Sequence, residues 1–135
     1  MHKILIIEDN EQNMYLSTFI LESQSYEVLQ ARNGHDGIEL AVTEKPDLII
    51  LDIQLPGIGG IDVARELRKT AETMHIPIIA VTSYAMAGDR ERILAAGCNG
   101  YIEKPINPET FVAQIRRHLG DGRGEEATLA RADRR

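Results

Sequence analysis

Tryptophan is absent from this 135-residue chain, and only six aromatic side chains are present, four Tyr and two Phe. The interior must therefore be aliphatic, which fits a hydrophobic fraction of 43%. Cysteine occurs once, at Cys98. An internal disulfide is excluded, and a buried thiol in a reducing compartment is expected. No apolar run approaches the roughly 18 residues that a membrane-spanning helix needs. Positive charge is also short, with 15 Lys and Arg against 21 Asp and Glu and a net charge of −6. That balance argues against nucleic acid as a partner, since phosphate backbones need a basic face. Met1-His2-Lys3 leads straight into Ile4-Leu5-Ile6-Ile7 and then Glu8-Asp9. The stretch is too short and too soon acidic for a secretory signal. A cytoplasmic, globular, single domain is the expectation.

What is present is an alternation. Short β-rich runs occur at 3–8, 26–31, 47–51, 76–81 and 99–102. Longer segments with helical spacing lie between and after them. Over 11–23 the expected apolar face is Met14, Leu16, Phe19, Ile20 and Leu21; over 35–44 it is Ile38, Leu40, Ala41 and Val42. Segment 60–71 offers Ile61, Val63, Ala64 and Leu67; segment 85–96 offers Met86, Ile93, Leu94 and Ala96. Segment 108–119 offers Phe111, Val112, Ile115 and Leu119. Five strand–helix units predict an α/β sandwich on a parallel sheet, with strands buried on both faces. Residues 120–135, GDGRGEEATLARADRR, carry three glycines in five residues and then mixed charge. They are read as a flexible tail after a domain at 1–119.

In such a sheet, ligands sit outside the carboxyl ends of the strands. The first strand ends at Glu8-Asp9, the third at Asp52, the fourth at Thr82-Ser83, and the fifth runs into Glu103-Lys104-Pro105. Three carboxylates, a hydroxyl and an ammonium are thereby expected on one edge. Two carboxylates about 4 Å apart repel by roughly 4 kcal/mol at an effective dielectric near 20, so such a cluster takes up a proton or a cation. Oxygen-only donors favour a hard ion such as Mg²⁺, and Lys104 suits a phosphate. Acid, metal, lysine and hydroxyl together point to phosphoryl chemistry. The chain has no G-x-x-x-x-G-K-[ST], no G-x-G-x-x-G at the first strand and no G-x-S-x-G. Gly57-Ile58-Gly59-Gly60 is read as a flexible loop freeing the chain near Asp52.

Glu8-Asp9, "LDIQLPGIGG" around Asp52, "AVTSYA" around Thr82 and "YIEKPI" around Lys104 follow in register at the ends of successive strands. Over about residues 2–119 the chain resembles the receiver domain of two-component response regulators. "IEDNEQN" at 7–13 is similar to stand-alone receivers of the cell-fate type and to receivers attached to hybrid histidine kinases. The resemblance implies a flavodoxin-like (βα)5 fold with strand order 2-1-3-4-5. It implies that Asp52 accepts a phosphoryl group from a phosphohistidine on a kinase or phosphotransfer protein. Asp9 and Asp52 would bind Mg²⁺ (Mn²⁺ is an alternative), with the backbone carbonyl of Gln54 as a further ligand and Glu8 holding a metal-bound water. Thr82 and Lys104 would bind phosphoryl oxygens. Tyr101 would be the switch aromatic, outward at rest, and Lys104-Pro105 would be cis. Gln54, Ser83 and Tyr84 occupy positions that tune the phosphoryl lifetime. The surface at 84–119 would signal to a downstream protein, as a monomer or a phosphorylation-dependent dimer.

Three functions compete at this point. One is a single-domain phosphorylatable switch; the second is a receiver module cut from a hybrid kinase. The third is an aspartyl-phosphate phosphatase, which wants a second acid where this chain has Gln54. No catalysis beyond self-phosphorylation and slow autodephosphorylation is expected. A DNA-binding regulator is disfavoured because no basic helix-turn-helix follows.

Overall fold

A computed structural model describes residues 1–83 and 88–120. Five parallel strands run in the order β2-β1-β3-β4-β5. They are β1 (Lys3–Ile7), β2 (Glu27–Ala31), β3 (Leu48–Asp52), β4 (Ile78–Thr82) and β5 (Gly100–Glu103). The helices are α1 (Glu11–Ser23), α2 (Gly34–Glu44), α3 (Gly60–Lys69), α4 (Asp89–Ala95) and α5 (Pro108–Leu119). The flavodoxin-like α/β reading and its strand order hold. Residues 84–87 and, but for Gly120, the expected tail at 120–135 lie outside the described residues.

Alternation along each strand divides the core in two. Leu5, Ile7, Ile49, Leu51, Ile78 and Ala80 pack with Ala41 of α2, Val63, Ala64 and Leu67 of α3 and Ile93 of α4. Ile4, Ile6, Leu48, Ile50, Ile79 and Val81 pack with Met14, Ile20 and Leu21 of α1 and Phe111 and Ile115 of α5. Every residue of β3 and β4 is buried, which explains their unbroken apolar sequence up to Asp52 and Thr82. Cys98 is a buried free thiol, and burial pushes its pKa up to about 11.

The helix faces differ from expectation in places. In α1 the buried residues are Met14, Ser17, Ile20 and Leu21, while Leu16 is 39% and Phe19 61% exposed. At about 100° per residue Phe19 is turned away from the Met14–Leu21 stripe, and Ser17 falls on it. Leu94 is also exposed; α4 is described over Asp89–Ala95, and the start of the expected 85–96 segment, with Met86, lies outside the described residues. Helix α3 stops at Lys69, because Thr70 leaves helical geometry with ψ of 126°.

Asparagines start three of the helices. Asn10 accepts from the Asn13 N–H at 2.9 Å, Asn33 from Asp36 at 2.8 Å, and Asn107 from Glu109 at 2.9 Å. The Asn10 cap sits two residues after Glu8 and begins α1 at the carboxyl end of β1, which brings the chain's first two acids to the reactive edge.

Candidate functional site

The parallel register sets the ends of β1, β3, β4 and β5 side by side. Ile7 pairs with Leu51, Asp52 with Val81, and Thr82 with Glu103. Asp52 and Thr82 belong to these last pairs, and Glu8 and Lys104 lie one residue past them. The structure brings together the acids expected from the sequence. One carboxylate oxygen from each of Glu8, Asp9 and Asp52 lies within 4.8 Å of the others. Glu8 and Asp52 are buried and Asp9 is exposed, so the cluster opens to solvent on the Asp9 side.

Lys104 closes the other side. Its Nζ lies 3.3 Å from Glu8 Oε1 and 3.5 Å from Asp52 Oδ2. One ammonium thus serves two buried carboxylates, and a third acid stands beside them. The electrostatic consequence falls on Glu8, whose pKa is raised from the ordinary 4.5 to about 7. Burial is the largest cause, followed by the hydrogen bond and the charge of Asp52; the Asn10 N–H, which donates to Glu8 Oε2 at 3.1 Å, and Lys104 oppose it. All donors in the cluster are carboxylate oxygens, the set that suits a hard divalent cation.

The loop after Asp52 is built for close approach. A Cβ on Gly60 would stand 2.5 Å from the Asp52 carbonyl oxygen and 2.6 Å from Ile53 Cα. Helix α3 can therefore start against the backbone of Asp52 only with glycine there. The expectation of simple chain freedom is corrected at this position: Gly60 serves packing, and its N–H donates to Ile53 O at 3.2 Å. Pro56 and Gly57 form the outer turn, with Gly57 at φ of 72°.

Gln54 makes contacts the sequence did not announce. Its N–H donates to Asp52 Oδ1 at 3.0 Å. Its side-chain amide nitrogen donates to Thr82 Oγ1, and its Oε1 accepts the Ser83 N–H at 3.1 Å. Thr82 itself is buried, and its carbonyl accepts from the Lys104 N–H at 2.9 Å. Tyr101 is half-exposed on β5, and its carbonyl accepts from Gln114 of α5 at 3.3 Å. Its hydroxyl pKa is raised by partial burial and by the charges of Glu103 and Asp89. The Lys104-Pro105 peptide is cis, as expected. Tyr84 lies outside the described residues.

A doubly wound five-stranded sheet with acids at the ends of its first and third strands and a lysine after its fifth defines a class. The chain belongs to the response regulator receiver domain family, whose model matches residues 4–116. Over 118 residues it is 47% identical to the polar-differentiation response regulator DivK of Brucella anthropi, covering 87% of this chain and 96% of that protein. Among solved structures it resembles the receiver domain of sensor histidine kinase PA1611 from Pseudomonas aeruginosa, which has magnesium coordinated in its active site cleft. That match has 34% identity, a TM-score of 0.83 and coverage of 88% of this chain and 98% of the other. It also resembles a CheY-like receiver from Methanospirillum hungatei, at 30% identity and TM-score 0.83, covering 93% and 98% of the two chains.

Proposed function

We propose that the chain is a single-domain response regulator that takes a phosphoryl group on Asp52 and passes the change to a protein partner. The observation that carries this reading is the buried Asp52 carboxylate, paired with Lys104 and facing Glu8 and Asp9. In the transfer, an Asp52 carboxylate oxygen attacks the phosphorus of a phosphohistidine on a kinase or phosphotransfer protein. The new O–P bond forms as the P–N bond breaks, and the electron pair returns to the partner's imidazole, which takes a proton from solvent. Lys104 donates to one phosphoryl oxygen and Thr82 to another.

The residues fit a divalent cation: three acids converge, and one lysine offsets only part of their charge. Asp9, Asp52 and the Gln54 carbonyl would hold Mg²⁺ or Mn²⁺, with Glu8 holding a bound water. The ion supplies positive charge that lets a dianionic phosphoryl group approach the acids. Phosphorylation replaces a carboxylate by a group of charge near −2, draws Thr82 and Lys104 toward it, and biases Tyr101 inward. The altered surface is 84–119. We place the protein in the cytoplasm, as a monomer or a phosphorylation-dependent dimer, without substrate turnover of its own. The phosphatase alternative lacks its second acid at Gln54.

Intact mass after incubation with acetyl phosphate tests the reading. A gain of about 80 Da that needs Mg²⁺ and is lost in Asp52→Asn is expected. A wild type that stays at its starting mass with Mg²⁺ present overturns it.

A further inference from the structure

The rungs between β3 and β4 change character at their carboxyl ends. The last backbone rung is the Ile53 N–H donating to Val81 O at 3.0 Å. One step further, the Gln54 side chain provides the link by accepting the Ser83 N–H and donating to Thr82 Oγ1. The same residue holds Asp52 through its own N–H. Gln54 therefore ties the acid to the hydroxyl and the N–H at the end of β4.

We propose that the Gln54 carboxamide is a resting-state clamp that occupies the Thr82 and Ser83 groups a phosphoryl group on Asp52 would use. The proposal rests on Asp52 as the phosphoacceptor. A carboxamide suits such a surrogate, because it sets an acceptor oxygen beside a donor nitrogen at a single planar end. Its acceptor is a neutral oxygen. Phosphoryl oxygens are charged and bind the same donors more strongly, so phosphorylation displaces the carboxamide while weaker acceptors do not. Space for the displaced side chain is at hand. Gln54 borders a cavity of about 230 Å³ lined with Ile53, Thr82, Asp89, Arg92 and Ile93. The clamp also reaches the distal strand. Thr82 O is held by the Lys104 N–H, and Ala80 pairs with Tyr101, so freeing Thr82 on the Gln54 side loosens β4 where it meets β5. Gln54 is thus a positioning residue that sets how far the unphosphorylated protein sits from its switched state.

The test uses the full chain with Mg²⁺ and two variants, Gln54→Met, of similar length with no hydrogen-bonding end, and Gln54→Glu, which keeps the acceptor. Amide exchange and ¹⁵N–¹H shifts of Ser83, together with the Gln54 side-chain NH₂ resonance, are followed before and after acetyl phosphate. At rest, the Ser83 N–H is expected to exchange about fivefold faster in Gln54→Met than in wild type, the factor carried by one net hydrogen bond. Gln54→Glu is expected to retain the protection, which separates the clamp from a general loosening. After phosphorylation the Ser83 signals of wild type and Gln54→Met are expected to converge, and Gln54→Met to take up phosphate about fivefold faster. Equal resting protection in wild type and Gln54→Met overturns the clamp. So does a Gln54 NH₂ signal that does not move in a wild type that gains 80 Da. A wild type that gains no mass overturns the phosphoacceptor reading itself, and the clamp with it.

Discussion

The two ends of the sheet treat buried charge in opposite ways. At the amino ends of β4 and β5, Arg68 of α3 is a half-buried guanidinium surrounded by neutral acceptors. It donates to Gly97 O at 2.9 Å, Ile76 O at 2.8 Å, Met74 O at 3.1 Å and Asn99 Oδ1 at 2.8 Å. Asn99 in turn accepts the Ile78 N–H at 2.9 Å. Burial lowers the Arg68 pKa, yet its donors are well used. At the carboxyl ends, Glu8, Asp9 and Asp52 crowd together with Lys104 as their close cation. One end spends its charge on holding two loops, those before β4 and β5, against α3. The other keeps an excess of negative charge that a cation and a phosphoryl group can act upon. Structural charge is matched within the protein; functional charge is left to be matched by what binds.

That contrast is sharpest when each end is broken. Arg68→Ala leaves several partly buried carbonyls without a donor and is expected to lower stability by about 3 kcal/mol. Urea unfolding measures it, and phosphorylation of the folded fraction at low temperature should match wild type. Gly60→Ala pushes a methyl into the Asp52 carbonyl. Overpacking of this kind costs about 2 kcal/mol and moves the acid, so both the melting temperature and the rate of phosphorylation from acetyl phosphate should fall.

Glu8 gives a pH signature that Arg68 cannot. Its folded pKa of about 7 exceeds its ordinary 4.5, so the folded state binds the extra proton across that interval. Its contribution is complete at low pH and is lost as pH rises through 4.5 to about 7. Metal-free melting curves should show this decline in wild type and a flatter profile in Glu8→Gln. Added Mg²⁺ should raise the wild-type melting temperature more at pH 8 than at pH 5.5, because the proton competes with the cation. The smallest effect belongs to neither end of the charge contrast. Asn33→Ala removes the α2 cap and is expected to cost about 1 kcal/mol with phosphorylation unchanged.

Much of this was readable from residue order. The apolar runs of β3 and β4 announced strands buried on both faces, and the acids at the ends of β1 and β3 announced the reactive edge. Strand ends carry that information because a parallel sheet aligns all its carboxyl ends. Phe19 misled because α1 mixes apolar residues on and off its inward stripe, and Ser17 lies on that stripe without an apolar signature. The Gln54 contacts and the Arg68 junction were not legible. Both depend on long flexible side chains meeting backbone groups far along the chain, Ser83 N–H 29 residues from Gln54 and Gly97 O 29 residues from Arg68, and Gln or Arg in a polar stretch gives no periodic signal. Gly60 was visible as a glycine, but its need came from the backbone of Asp52, which only the folded chain brings near.

The central claim is that the carboxyl edge holds more negative charge than the protein itself neutralises. At an effective dielectric near 20, each neighbouring acid within 4.8 Å repels Asp52 by about 3.5 kcal/mol, and Lys104 at 3.5 Å returns about 5 kcal/mol. The two repulsions together exceed the one attraction. Thermal unfolding of wild type and Asp52→Asn at pH 8, with and without Mg²⁺, measures this directly. Without divalent cation the variant should melt higher than wild type, and saturating Mg²⁺ should raise wild type and close or reverse the gap. If Asp52→Asn melts lower than wild type without cation, and Mg²⁺ leaves both curves in place, the carboxyl edge is a satisfied structural cluster like the Arg68 end, and the account fails.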